Sequence, residues 1–144
     1  MFRVTRQYRF AASHRLHAPQ LNDAENRELY GKCNNPYGHG HNYVIEISAR
    51  GPLDANTGRA IDTAALDALV SREVLVPFDH SNLNQDGDAF ASVVPTSENL
   101  AIEIWQRLNR NWAEAFPGEW PRLEKVRIAE TARNVFEIGT DEIE

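Results

Sequence analysis

The stretch GKCNNPYGHGHNYVIEISAR, residues 31–50, decides the fold, because a loop rich in chemical groups runs directly into an alternating strand. Residues 42–50 alternate apolar and polar side chains, the pattern of a half-buried strand. His39 and His41 lie one residue apart where that strand begins. Because strand side chains alternate with a period of two, both imidazoles are expected on one face. Two such imidazoles suit a divalent metal ion, and the only cysteine, Cys33, lies a few residues earlier.

Other segments also carry the signals of antiparallel strands. Residues 2–13 alternate and are rich in β-forming side chains, which predicts a first strand. The DANTG cluster at residues 54–58 is typical of a turn that joins antiparallel strands. Residues 123–131 and 134–138 are predicted to form a closing hairpin. The chain thus favours an antiparallel, four-stranded sheet.

Two amphipathic helices are predicted between these strands. Asp62 is placed as the N-cap of a helix over residues 63–74, and Thr96 or Ser97 caps a second helix. Residues 15–30 are interpreted as a surface loop with one helical turn. The second helix carries apolar side chains at helical spacing, among which the tryptophan pair is expected to be core: Leu100, Ile104, Trp105, Leu108 and Trp112.

The order of elements predicts one α+β domain over residues 1–144. Both helices would cover one face of the sheet. The other face would stay bare unless subunits pack together, so we expect an oligomer.

Composition narrows the function classes. The chain has 144 residues and a formal net charge of −6, with a pI near 5.4. This balance argues against a nucleic-acid partner. The sequence has neither a long apolar run nor an apolar block of signal-peptide length, so no membrane association and a cytoplasmic location are expected. A single cysteine cannot form an intramolecular disulfide, which agrees with a reducing compartment.

A third histidine completes a candidate metal site. Catalytic zinc usually has three protein ligands and one open position. His14 shares a strand face with Phe10 and Ala12, and strand pairing would bring it alongside His39 and His41. His17 is interpreted as a surface residue.

Three further residues have both a chemical and an inert interpretation. Cys33 is either a small buried side chain or a thiol whose pKa a nearby metal or Lys32 would lower. Asp79 and His80 form either an orienting carboxylate–imidazole pair or an exposed turn.

Glu130 is the fourth such residue. It shares the strand face of the apolar Val126 and Ile128. It is either a solvated strand-end residue or a buried carboxylate that accepts two parallel N–H bonds from a guanidine-like ligand edge.

Across nearly its whole length the sequence resembles the 6-pyruvoyl-tetrahydropterin synthase family. The spacer between Cys33 and His39 is similar to that of the animal pyruvoyl enzymes, whereas the related 6-carboxy-tetrahydropterin synthases typically have a shorter one. The matching motifs are SHRLH (13–17), GKCNNPYGHGHNY (31–43), DANTG (54–58), FDHSNLN (78–84), PTSENLA (95–101) and AET (129–131).

The resemblance implies a set of roles. His14, His39 and His41 would bind Zn²⁺. Cys33 would be the proton-abstracting base, with Asp79 and His80 as catalytic partners from a neighbouring subunit. Glu130, counted with the catalytic residues, would anchor the pterin ring; Thr96, Ser97 and Thr131 would assist.

The resemblance also implies a fold and an assembly. The tunnelling fold packs two helices on one face of a four-stranded antiparallel sheet, and trimers close a β-barrel. Two trimers would stack into a homohexamer with active sites at subunit interfaces.

Three functions follow as hypotheses. The first is conversion of 7,8-dihydroneopterin triphosphate into 6-pyruvoyl-tetrahydropterin with elimination of triphosphate, a lyase reaction of tetrahydrobiopterin biosynthesis. The second is 6-carboxy-tetrahydropterin synthesis in queuosine biosynthesis. The third is a catalytically silent pterin- or metal-binding module. Mg²⁺ is a further candidate cofactor for the triphosphate, and Arg15 and Lys32 are candidate contacts to it.

Overall fold

Two long strands form the centre of the protein. The computed structural model describes residues 1–140. Strand β1 (Phe2–His14) and strand β2 (His39–Gly51) each contain 13 residues. They pair antiparallel along their whole length, from Phe2 opposite Gly51 to His14 opposite His39. This register places the ends of both strands that carry histidines side by side.

The sheet is larger and more mixed than the sequence predicts. Strands β4 (Arg122–Ala129) and β5 (Val135–Gly139) continue it antiparallel beyond β2. Strand β3 (Ser81–Asn82) pairs parallel with the end of β1. The order is β3-β1-β2-β4-β5. The predicted sheet of four antiparallel strands is therefore corrected to an open, mixed sheet of five, because Leu83 N donates to Ser13 O and ties this segment to β1.

Helix α1 (Asp23–Tyr30) occupies a region that the sequence predicts to be mainly loop. The Asn22 side chain accepts from Glu25 N, and the Glu25 side chain accepts from Asn22 N, which is a capping box. This pairing satisfies two backbone donors and starts a helix of eight residues. The Asn22 to Glu25 spacing was the available signal.

The helices expected later in the chain are present. Helix α2 (Thr63–Val70) is capped by Asp62 and continues through a π-helical turn (Ser71–Leu75) into the short α3 (Val76–Phe78). The widened turn directly precedes α3, in which Pro77 lacks an N–H to donate. Helix α4 (Ser97–Ala115) is capped by Thr96, whose side chain accepts from Asn99 N.

The core lies between the sheet and helices α2 and α4. Ile45, Ile47, Leu66, Leu108 and Ile128 are fully buried there. Burying each such side chain stabilises the fold by about 1.5–3 kcal/mol. The predicted core position of the tryptophans is confirmed, since Trp105 and Trp112 are both buried.

The opposite face of the sheet is polar. Thr5 and Ser48 share a hydrogen bond of 2.8 Å, and Arg127 donates to Glu46 at 2.5 Å. This face carries no helix among residues 1–140. Within that range, no helix is long and apolar enough to cross a bilayer.

Candidate metal centre and substrate site

Strand register brings two histidines together. His41 lies opposite Ala12, one pair removed from His14 opposite His39. The side chains of His14 and His41 therefore point to the same face of the sheet. Their Nε2 atoms are 3.1 Å apart. Two imidazole nitrogens at this distance face a common point.

The tautomer of His14 is set by a backbone carbonyl. Its Nδ1 lies 2.8 Å from Pro95 O, an acceptor, so Nδ1 carries the proton and donates. The Nε2 lone pair is then available on the side that faces His41. Burial lowers the pKa of both histidines below the usual value. Both rings are accordingly neutral near pH 7, the state that binds metal ions.

The loop before β2 is fixed against the end of β1. A 3₁₀ turn (Gly31–Asn34) contains Cys33, whose carbonyl accepts from Leu16 N at 2.7 Å. Gly38 has φ +80°, and a Cβ there would lie 2.9 Å from His14 O. Only glycine permits both that conformation and that approach. The closed loop brings Cys33 Sγ within 3.8 Å of His41 Nε2.

Glu130 reaches the same point from the end of β4. Its Oε1 is 3.0 Å from His41 Nε2 and 3.6 Å from His14 Nε2. Its side chain is only 13% exposed. The parity that places Glu130 on the apolar face of its strand is thus reflected in a carboxylate packed among imidazoles, not a solvated one.

These residues form one group, named here the metal cluster: His14, Cys33, His41 and Glu130. Their donor atoms all lie within 4.8 Å of one another. Tetrahedral Zn²⁺ with ordinary bond lengths would separate two nitrogens by about 3.3 Å and nitrogen from sulfur by about 3.6 Å. The observed 3.1 and 3.8 Å are close to these values. Nitrogen, sulfur and carboxylate donors are also the set that Zn²⁺ prefers.

His39 lies beside the cluster and not in it. Its ring is exposed and packs edge-on against His41, with the centroids 4.7 Å apart. Of the three predicted ligands, the structure brings together His14 and His41. Cys33 and Glu130 are the donors that sequence reasoning assigned to other roles; parity indicated Glu130, whereas nothing local indicated the position of the thiol.

The environment of Cys33 differs from the expected one. Burial, and then the negative charge of Glu130, raise the pKa of the thiol. The sequence-based prediction that Lys32 would lower this pKa is wrong for the chain described, because Lys32 is exposed to solvent. A divalent cation bound within the cluster would act in the opposite direction and favour the thiolate.

The Asp79–His80 pair lies at the edge of the sheet. Asp79 Oδ1 accepts from Ala11 N at 2.9 Å, and its Oδ2 is 3.6 Å from His80 Nε2. His80 has φ +57°, which is unusual for a residue with a side chain, and its ring is 85% exposed. Within residues 1–140, no hydrogen bond joins either residue to Cys33. A cleft of about 510 Å³ nevertheless includes both His80 and His41 in its lining.

Three hydroxyl groups stand close to the cluster in the chain. Thr96 and Ser97 follow Pro95, whose carbonyl contacts His14. Ser97 is buried, and its Oγ has no hydrogen-bond partner among the described residues. Thr131 Oγ accepts from Arg133 N and Asn134 N, which closes the turn after Glu130. An unpartnered buried hydroxyl is rare and marks a place where a ligand can bind.

His17 is partly buried and not a plain surface residue. Its Nδ1 accepts from Asn34 Nδ2 at 3.1 Å. The same Asn34 amide donates to Leu16 O at 2.7 Å. His17 therefore supports the turn that contains Cys33.

Comparisons with known proteins agree with this arrangement. Residues 3–141 match the family model described as 6-pyruvoyl tetrahydropterin synthase. The 6-pyruvoyl tetrahydrobiopterin synthase of Poecilia reticulata is 46% identical over 92% of this chain and 86% of its own length. The human protein of that name is 41% identical over 92% and 87%. The structure of Caenorhabditis elegans 6-pyruvoyl tetrahydropterin synthase aligns with a TM-score of 0.85 at 41% identity, over 96% of this chain and 94% of that one. The chain therefore belongs to the 6-pyruvoyl tetrahydropterin synthase family.

Proposed function

We propose that this chain is a zinc-dependent lyase that converts 7,8-dihydroneopterin triphosphate into 6-pyruvoyl-tetrahydropterin and triphosphate. One observation carries the proposal: two neutral histidines, a thiol and a buried carboxylate converge within 4.8 Å in a member of this family. The reaction needs an ion, a base and a group that recognises the pterin. The cluster contains candidates for all three.

The metal would be held by His14 and His41, with the third ligand still to be assigned. His39 is the predicted one, and its ring packs against His41, so that a side-chain rotation could bring it in. Cys33 and Glu130 are the donors already near the two nitrogens. When bound, Zn²⁺ would act as a Lewis acid on the side-chain oxygens of the substrate and acidify the adjacent C–H bonds.

Glu130 is the proposed anchor for the pterin ring. A carboxylate accepts two parallel hydrogen bonds from a guanidine-like edge, here the 2-amino group and N3. Its partial burial strengthens such bonds, because little water competes for the oxygens. Ser97 would donate or accept through its unpartnered hydroxyl, with Thr96 and Thr131 nearby in the chain.

Cys33 is the proposed base, and His80 the group that exchanges protons with it, oriented by Asp79. The thiol must reach its thiolate form to take a proton from carbon. No external redox cofactor is required: the side-chain alcohols become ketones, the pterin ring gains hydrogen, and triphosphate leaves with its bridging oxygen. Oxidation and reduction therefore balance within one molecule.

The proposed assembly is a homohexamer, a dimer of trimers with barrels closed across subunits. Two features support it. The outer edge of β1 is covered by β3 only at Ala12 and Ser13 within residues 1–140, which leaves most of a 13-residue strand available for pairing. The exposed Asp79–His80 pair also lacks a bond to Cys33 in its own chain, as expected if it serves a neighbour. The single domain over residues 1–144 and the cytoplasmic location stay predictions.

The test is product identification. Zinc-loaded protein is incubated with 7,8-dihydroneopterin triphosphate, and pterins are separated and weighed by mass spectrometry. We expect 6-pyruvoyl-tetrahydropterin as the main pterin, with one triphosphate released per turnover and about one zinc per chain. A main product of 6-carboxy-tetrahydropterin with acetaldehyde would assign the alternative synthase. Binding without turnover would leave the catalytically silent module.

A further inference from the structure

A second cleft lies on the far side of the loop that carries Cys33. It has a volume of about 360 Å³, within the range of small-molecule sites. Three cationic side chains line it, Arg15, Arg27 and Lys32, against one carboxylate, Asp23. The chain as a whole has 21 acidic and 15 basic side chains. A cleft with this excess of cations on an acidic protein is a local departure that requires an explanation.

The three cations come from separate segments that the fold brings together. Arg15 follows His14 at the end of β1, Lys32 precedes Cys33 in the 3₁₀ turn, and Arg27 lies in the last turn of α1. The hydrogen bond from Leu16 N to Cys33 O joins the first two segments. Two of the three cations are therefore next in sequence to residues of the metal cluster.

Arg15 is held in position by neighbours that leave part of its guanidinium uncommitted. Its backbone N donates to Asn84 Oδ1 at 2.6 Å, and its carbonyl accepts from Asn84 Nδ2 at 2.9 Å. Its Nε donates to Asn34 O at 3.2 Å. Among residues 1–140, no carboxylate lies within 4 Å of the charged nitrogens of Arg15, Arg27 or Lys32. A fixed guanidinium with free terminal N–H groups is suited to phosphate oxygens.

The ordinary interpretation of Arg27 is different. A cation in the last turn of a helix is stabilised by the negative end of the helix dipole. That accounts for Arg27 alone. It does not account for Arg15 and Lys32, which lie outside α1 and face the same cleft.

We propose that this cleft binds the triphosphate group of the substrate, and of the product, through Arg15, Arg27 and Lys32. This inference rests on the proposed function for the identity of the substrate, and it adds the residues that hold its leaving group. The pterin would be recognised at Glu130, while the phosphate chain extends past the Cys33 loop into the cleft. A triphosphate carries several negative charges, so the three cations contribute together.

The experiment measures binding of inorganic triphosphate by calorimetry to the full chain and to its variants. Arg27→Gln and Lys32→Gln are the main variants, since both side chains are exposed and neither is needed for packing. Each is expected to weaken binding about tenfold, the loss of one charge-assisted contact. Arg110→Gln removes an exposed cation of α4 outside the cleft and serves as the matched control.

A metal control separates the cleft from the ion, because triphosphate also binds zinc. The titration is repeated on protein freed of metal by a chelator that is then removed. Binding through the cleft persists there and still responds to Arg27→Gln. Triphosphate that binds only the zinc-loaded protein would overturn the inference. So would equal affinities in wild type and both cleft variants, or an equal loss in Arg110→Gln.

Kinetics then separate this inference from the proposed function. With 7,8-dihydroneopterin triphosphate, Lys32→Gln is expected to raise KM about tenfold with kcat little changed. Binding of 7,8-dihydroneopterin, which lacks the phosphates, should not change. If wild type fails to turn over the triphosphate substrate but still binds triphosphate through the cleft, the proposed function is wrong and the anion site stands. If wild type turns over and KM does not respond, only the triphosphate cleft is wrong.

Discussion

The metal cluster and the Asp79–His80 pair are two regions assigned to one reaction, yet the chain builds them very differently. The cluster is enclosed, and its four donors converge from β1, the Cys33 loop, β2 and the end of β4. The Asp79–His80 pair is exposed at the sheet edge, and its carboxylate is occupied with Ala11 N. A buried set of polar groups is stable only when its members satisfy one another or a ligand. An exposed pair has no such requirement and can be completed by another subunit.

The largest expected effect comes from breaking the cluster. His41→Ala removes a nitrogen that lies close to three other donors, so bound zinc should be lost and activity should fall at least about a thousandfold. Metal content by mass spectrometry and turnover are both measured. His39→Ala is the paired variant: loss of metal there confirms it as the third ligand. Retention of metal would assign that position to Cys33 or Glu130.

Subunit complementation tests whether the two regions meet across an interface. Cys33→Ala and His80→Ala should each lower kcat about 10²- to 10⁴-fold, the usual contribution of an acid or base. Cys33→Ala should keep its zinc; loss of zinc would make the thiol a ligand. Unfolded together and refolded as a 1:1 mixture, the two variants should recover about one quarter of wild-type activity if each site takes its halves from two subunits. Activity that stays at the level of the single variants would place both residues in one chain.

Gly38→Ala tests the attachment of the Cys33 loop to β1. The new Cβ would meet His14 O, and the positive φ adds strain, so unfolding free energy should fall by about 1–3 kcal/mol. Thermal denaturation should show a drop of several degrees. Gly40→Ala, where a Cβ meets nothing within 4 Å, should be close to neutral. Gly58→Ala has a positive φ but open space, and it measures the strain alone. A Gly38→Ala protein no less stable than Gly58→Ala would exclude the contact.

The smallest effect is expected at a polar contact outside both regions. Asp67 accepts from Arg6 at two atoms and from Tyr8 OH, and these bonds hold the pKa of its carboxyl below the usual value of 3.8. Its stabilisation is present above that value and is lost as pH falls through the lower folded-state pKa. Asp67→Asn should cost under about 1 kcal/mol at pH 7, since the pair is partly exposed.

The pH dependence checks this last prediction. Thermal denaturation of wild type and Asp67→Asn is compared at pH 7 and below pH 4, where the difference should close. A difference that is unchanged in acid would mean that packing, and not the charge of Asp67, accounts for it. The same comparison sets the scale of an ordinary surface contact against the two functional regions.

Local periodicity was sufficient for several parts of this protein. The alternation of residues 42–50 predicted β2, and parity placed His41 and Glu130 on the faces where they are found. The apolar spacing of α4 predicted the burial of Trp105 and Trp112. Each of these follows from the geometry of a single element, in which side-chain direction repeats every two or 3.6 residues. The motifs that pointed to the family were also contiguous in the chain.

The tertiary structure alone decided which of these side chains meet. The turn at Gly38 and the bond from Leu16 N to Cys33 O put the thiol beside His41, and left His39 outside the cluster. Strand β3 and the exposure of His80 likewise depend on contacts with β1. Even the pKa of Cys33 changed in direction once burial was known. Distances and desolvation depend on how remote segments pack, and no period in the sequence encodes them. What residues 31–50 determined by themselves was a strand with histidines at its start; folding made that start a site.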